Sequence, residues 1–124
     1  MLLDKERDEY RSKKMDEVKD YLTVAAIYEQ LAEEASELSQ AAIKMSRIIR
    51  GENPTPINED EAIGNVIEEY NDVVLCARIL NVGDDDDVLS YKLNRWCDRL
   101  KDKYGDRKCV FTASNPLLVM PISH

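Results

Sequence analysis

The chain has 124 residues, 25 acidic and 17 basic, with a single His and a formal charge of −8, a length that suits one domain. A sequence pI of about 4.7 argues against a non-specific nucleic-acid or anionic-membrane partner, and no apolar run approaches the roughly 20 residues that span a bilayer. Four Gly, four Pro, one Phe and one Trp are too few for a turn-rich β-sandwich, Met1–Glu9 is too charged for a signal peptide, and Cys76, Cys97 and Cys109 show no CxxC spacing, so reduced thiols in a cytoplasmic protein are expected, without structural zinc.

From Asp4 to Gly51 the chain has no Pro and no Gly before its end, which predicts helix. Its first part, Asp4 to Asp20, is mostly charge and predicts a polar helix with a thin apolar stripe. From Thr23 the pattern strengthens through Val24, Ile27, Leu31, Leu38, Ala42, Met45 and Ile49 at helical spacings. Gly51 suits the left-handed position after the last turn. Asn53-Pro54-Thr55-Pro56 is a loop. Asn58 and Glu61 then read as a capping box, Glu61 reaching back, opening a helix that runs to about Leu80. Val82-Gly83 breaks it. The acid run Asp84 to Asp87 favours the start of a last helix, Asp86 to Tyr104, stopped at Gly105. The tail from Gly105 to His124 carries two Pro and the apolar patch Leu117 to Met120, expected to pack on the bundle or on a partner subunit. The expected fold is all-α: a single domain over 1–124, a bundle of about four helices with a polar N-terminal helix, a core over about 21–104 and a tail.

Acid pairs three residues apart are cheap in this composition. Chance alone gives about five, and five occur: Glu6/Glu9, Glu17/Asp20, Glu34/Glu37, Glu69/Asp72 and Asp84/Asp87. Position relative to the apolar stripes carries more information. At about 100° per residue, Glu34 falls only about 35° from the centre of the sector of Ile27, Leu31, Leu38 and Met45, while Glu37 lies on the stripe's edge and Glu33 further out. A Glu there is costly unless something pairs with it. In the next helix Ile63, Ile67, Tyr70, Val74 and Ala77 make the main stripe. Glu69 and Asp72 lie off it, in one column with Cys76 and Leu80. Two helices thus each offer two carboxylates one turn apart beside apolar surface. Magnesium is the cation that suits such oxygens. The plain alternative is Glu34 paired with a Lys or Arg and Glu69 and Asp72 exposed.

Glu33-Glu34-Ala35-Ser36-Glu37 followed by Glu68-Glu69-Tyr70-Asn71-Asp72 resembles the ExxE…ExxD signature of the MazG-like, all-α nucleotide pyrophosphohydrolases. Leu31 to Ala42 and Val66 to Leu75 fit around it, and Tyr91 to Arg95 resembles that family's basic phosphate-contacting helix. The resemblance covers roughly Tyr21 to Tyr104; Gly105 stands where Pro is common. It implies that Glu34, Glu37, Glu69 and Asp72 hold Mg²⁺, with Mn²⁺ a substitute. It implies that a nucleoside triphosphate is cleaved between the α- and β-phosphates to a monophosphate and pyrophosphate, in a homodimer or homotetramer. Glu33 or Glu37 would then be the base for the attacking water. Lys44, two turns after Glu37, would face a phosphate, or is a surface Lys. Lys92, Arg95 and Arg99 share one helix face that would grip phosphates, or that balances neighbouring acids. Asn94 and Trp96 would touch sugar or base, although a lone Trp in a helix is more often core. The competing readings are a non-catalytic helical adaptor or regulatory bundle, and phosphoribosyl-ATP hydrolysis.

Overall fold

The computed structural model describes residues 3–52, 57–105, 107, 109–111 and 119–121. Four helices carry the chain: α1 Asp4–Tyr21, α2 Val24–Arg50, α3 Glu59–Ile79 and α4 Asp86–Tyr104. Two short strands follow, β1 Cys109–Phe111 and β2 Val119–Pro121, paired antiparallel with Cys109 opposite Pro121. The whole loop 53–56, with both its prolines, and Leu117 and Leu118 of the apolar tail patch lie outside the described residues. The chain divides into two compact units, 1–83 and 84–124.

In the first unit the expected polar helix forms. No residue of α1 is buried. Its surface carries ion pairs one turn apart: Arg7 with Asp4, Lys14 with Glu17 at 3.3 Å and Lys19 with Asp16 at 3.8 Å. Exposed pairs of this kind add little stability each. The uninterrupted helical stretch in the sequence is split at Leu22, whose backbone is extended at φ −119°. Thr23 is the reason. Its side-chain oxygen accepts from the Ala26 amide at 3.1 Å, starting a new helix, as a hydroxyl at an N-cap does.

α2 ends as expected. Gly51 is left-handed at φ 71°, and its amide and that of Glu52 bond back to Ile48 at 3.1 Å and Arg47 at 2.9 Å, which satisfies carbonyls that the last turn leaves open. Asn58 caps α3, accepting from the Glu61 amide at 2.8 Å. The end of α3 corrects the expectation of a Val82-Gly83 break: the left-handed residue is Asn81, at φ 58°. The Val82 amide then closes on Ala77 at 2.8 Å. Asn tolerates this conformation better than other side-chain-bearing residues do.

α2 and α3 pack as an antiparallel hairpin, the later turns of α2 meeting Ile57 and Ala62 at the start of α3. The residues that meet repeat every 3 and 4. On α2 they are Ile27, Leu31, Glu34, Leu38, Ala41 and Met45; on α3, Ala62, Val66, Glu69, Val73, Cys76 and Leu80, all buried or half-buried. Such a repeat is the periodicity of a two-helix seam. It corrects part of the expected main stripe of α3: Ile67 and Tyr70 are each 56% exposed, while Ile63, Val74 and Ala77 are half-buried. The column holding Glu69 and Cys76 is the inward one. Among the described residues the buried core is small: Ile27, Ala41, Met45, Ala62 and Cys76.

In the second unit α4 starts on Asp85, whose carboxylate accepts from the Val88 amide at 3.0 Å. It stops at Gly105, at φ 60°. No residue of α4 is buried. No helix among the described residues is long and apolar enough to cross a membrane.

Candidate metal centre

Each half of the α2–α3 seam is apolar except at one place. Glu34 interrupts the α2 repeat between Leu31 and Leu38, and Glu69 interrupts the α3 repeat between Val66 and Val73. The antiparallel register brings the interruptions together. With Glu37, one turn beyond Glu34 on the seam's edge, they form a group in which one carboxylate oxygen of each residue lies within 4.8 Å of the others. Glu34 and Glu69 are half-buried and Glu37 is exposed.

Three carboxylates this close repel, and the chain only partly compensates. Gln30, one turn before Glu34, donates from Nε2 to Glu34 Oε1 at 2.7 Å. Glu34 Oε2 and Glu69 Oε2 are buried and have no hydrogen-bond partner. A buried acceptor left open costs about 1–3 kcal/mol, more when charged. No Lys or Arg forms an ion pair with Glu34, Glu37 or Glu69 among the described residues. The plain alternative of a Glu34 ion pair is therefore not what the fold builds. Hydrogen bonding with Glu69, then the charge of Glu34, hold the Glu37 carboxyl above the ordinary carboxylate range. Burial, then the charges of Glu34 and Asp72, push the Cys76 thiol up as well. Negative potential thus extends along the seam.

Of the sequence-predicted ligands, Glu34, Glu37 and Glu69 come together. Asp72 is half-buried, one turn further along α3, and stands outside that group. Glu33 is exposed and also outside it. Beside the carboxylates lies a cleft of about 400 Å³ lined by Glu37, Gln40, Ala41, Lys44, Ile57, Ala62, Asn65 and Glu69. Lys44 is exposed and lies in the wall of the same cleft, a position that fits both readings of it. Sequence reasoning missed Gln30, Gln40 and Asn65. The signal was available: Gln30 is one turn before Glu34 and Asn65 one turn before Glu69, on the same helix faces.

In the second unit Lys92, Arg95, Trp96 and Arg99 line one depression of about 320 Å³. Asn94 is exposed and does not line it. Trp96 is 63% exposed, so it is not the core residue that a lone helical Trp usually is.

The arrangement offers hard oxygen donors from two rigid helices, two of them with open lone pairs, opening on a cleft that carries one cation and two side-chain amides. No known protein family matches the chain. No curated protein and no solved structure matches it either.

Proposed function

We propose that this protein is a magnesium-dependent nucleotide pyrophosphohydrolase of the MazG-like kind, cleaving a nucleoside or deoxynucleoside triphosphate between the α- and β-phosphates. One observation carries the reading: the meeting of Glu34, Glu37 and Glu69 with two inward oxygens lacking any partner. A hard divalent cation fits that donor set, because no Lys or Arg forms an ion pair with these carboxylates among the described residues. Glu34, Glu37 and Glu69 would hold it, and Asp72 would take part only through a side-chain rearrangement or a bridging water. Such an ion, when bound, offsets the charge of the triphosphate and lowers the pKa of a nearby water.

The remaining roles fall to the chain itself. Glu34 and Glu69 are fixed by the packed seam and by Gln30, so they orient rather than move. Glu37 is exposed on the solvent side, the place for the base that takes a proton from the water attacking the α-phosphorus, while the bond from that phosphorus to the bridging oxygen breaks and this oxygen leaves with pyrophosphate. Lys44, in the cleft wall, pairs with a phosphate oxygen. Gln40 and Asn65 present amides that hydrogen-bond sugar or base. Lys92, Arg95 and Arg99 belong to the other unit and carry no step here.

The test is pyrophosphate release from each ordinary nucleoside and deoxynucleoside triphosphate, with Mg²⁺ and with EDTA. The reading requires release from at least one of them, lost in EDTA and lost in Glu34→Gln. Release that survives either change, or a fully folded protein with no release from any, ends it.

A further inference from the structure

One carboxylate of the cluster has a hydrogen-bond donor of its own, and that donor is neutral. Gln30 stands four residues before Glu34, on the same face of α2. Both side chains are half-buried. Gln30 donates from Nε2 to Glu34 Oε1 at 2.7 Å, while Glu34 Oε2 is buried with no partner. The two oxygens of this carboxylate are therefore unlike: one is taken and one is open. An apolar residue at position 30 would fill the same half-buried space and hold neither.

Gln30 lies at one end of the cluster and the cleft at the other. On α2 the cleft is lined by Glu37, Gln40, Ala41 and Lys44, all after Glu34. On α3, which runs the opposite way, it is lined by Ala62, Asn65 and Glu69 and by nothing after Glu69. Asp72, three residues past Glu69, thus stands at the Gln30 end. The amide ties Oε1 at the end away from the cleft, on the side of Asp72.

We infer that Gln30 is a positioning residue that sets which divalent ion the cluster prefers. The inference rests on the proposed metal centre and goes beyond it, from whether an ion binds to how ions are told apart. With Oε1 held, Glu34 offers an ion a single oxygen. Mg²⁺ and Mn²⁺ suit a few carboxylates that each ligate through one oxygen, whereas Ca²⁺ takes about six to eight oxygens and accepts carboxylates that ligate through both. Release of Oε1 gives Glu34 a second free oxygen at the Asp72 end and enlarges the donor set toward the larger ion. The same bond fixes the plane of the carboxylate, and loss of a partner of this kind costs about 10–100-fold in metal affinity. Because the amide carries no charge, Gln30 does this without lowering the attraction of the cluster for a cation.

Mn²⁺ binding to the full chain, followed by electron paramagnetic resonance and competed with Mg²⁺ or Ca²⁺, tests the inference without any nucleotide. Gln30→Met keeps the length of the side chain and removes the donor. It must weaken Mg²⁺ about tenfold and move the ratio of Mg²⁺ to Ca²⁺ affinity about tenfold toward Ca²⁺, with unchanged helical circular dichroism. Gln30→Leu must do the same. Gln30→Lys keeps a donor for Oε1; its charge weakens both ions alike, so the ratio must stay near that of wild type. A wild type that binds no Mn²⁺ overturns the metal centre, and this inference with it. A wild type that binds Mn²⁺, with the ratio unchanged in Gln30→Met and Gln30→Leu, overturns the inference alone. So does a Gln30→Lys ratio that shifts as far as that of Gln30→Met, since packing and not the donor would then be the cause.

Discussion

Glu69→Gln exchanges a carboxylate for an amide of the same shape at the centre of the α2–α3 seam. In the metal-free protein Glu34 and Glu69 face each other with oxygens within 4.8 Å. Two unit charges at that distance repel by about 3 kcal/mol at an effective dielectric constant of about 20. Both residues are only half-buried, so solvent screening reduces this to about 2 kcal/mol. The amide also gives Glu34 Oε2, which has no partner, a donor within reach. For a chain of this size about 2 kcal/mol corresponds to a rise in Tm of about 6 °C or more. The order reverses with metal. For a dissociation constant of about 1 mM, about 10 mM Mg²⁺ stabilises the wild type by about 1.4 kcal/mol and leaves the variant nearly unchanged. Thermal melts of both proteins in EDTA and in Mg²⁺, followed by circular dichroism, read both effects. A Glu69→Gln protein no more stable than wild type in EDTA would refute the claim that this cluster is an unrelieved charge centre. An equal Mg²⁺ shift in both proteins would refute the ligand assignment.

Four further expectations follow from the same geometry. Because the folded protein holds the Glu37 proton more tightly than the unfolded chain, this group's contribution is fully present below the unfolded carboxylate pKa and is lost as pH rises through the folded value; urea midpoints in EDTA should fall over that window in wild type and fall less in Glu37→Gln. Lys44→Ala should raise KM for the triphosphate about tenfold with intact helical content, and steady-state kinetics would show the assignment wrong if KM did not move. Iodoacetamide should label exposed Cys97 well before buried Cys76, whose thiol is held protonated; peptide mass mapping during the reaction decides the order. Gly51→Ala should destabilise by about 1 kcal/mol in urea titrations, since φ 71° is a conformation that a Cβ resists.

Much of the fold was legible because capping chemistry is local. Gly51, Asn58 and the acid run before α4 each mark a boundary within a few residues of sequence, and α4 runs from Asp86 to Tyr104 as read. The break at Leu22–Thr23 was less so, since nothing but one hydroxyl distinguishes it from continuous helix. The inward face of α3 was misjudged for a physical reason. Tyr70 and Ile67 are more hydrophobic than Glu69 and Ala62, and a hydrophobicity count favours them. Packing against α2 selects small residues at the crossing instead, so Ala62 is buried and Tyr70 is not. Placing Glu34 in the α2 stripe was enough to identify one half of the cluster. The other half needed the antiparallel register, which only the folded hairpin supplies. That register also separates Glu69 from Asp72, two residues that spacing alone treats as a pair.

Glu34, Glu37 and Glu69 are expected to bind one hard divalent ion jointly. Anomalous diffraction from crystals of the full chain soaked in Mn²⁺ measures this most directly. The account predicts a strong peak between α2 and α3, about 2.0–2.3 Å from an oxygen of each of the three side chains, and its disappearance in crystals of Glu69→Gln. A peak elsewhere, or none with the three carboxylates turned apart into solvent, would contradict it.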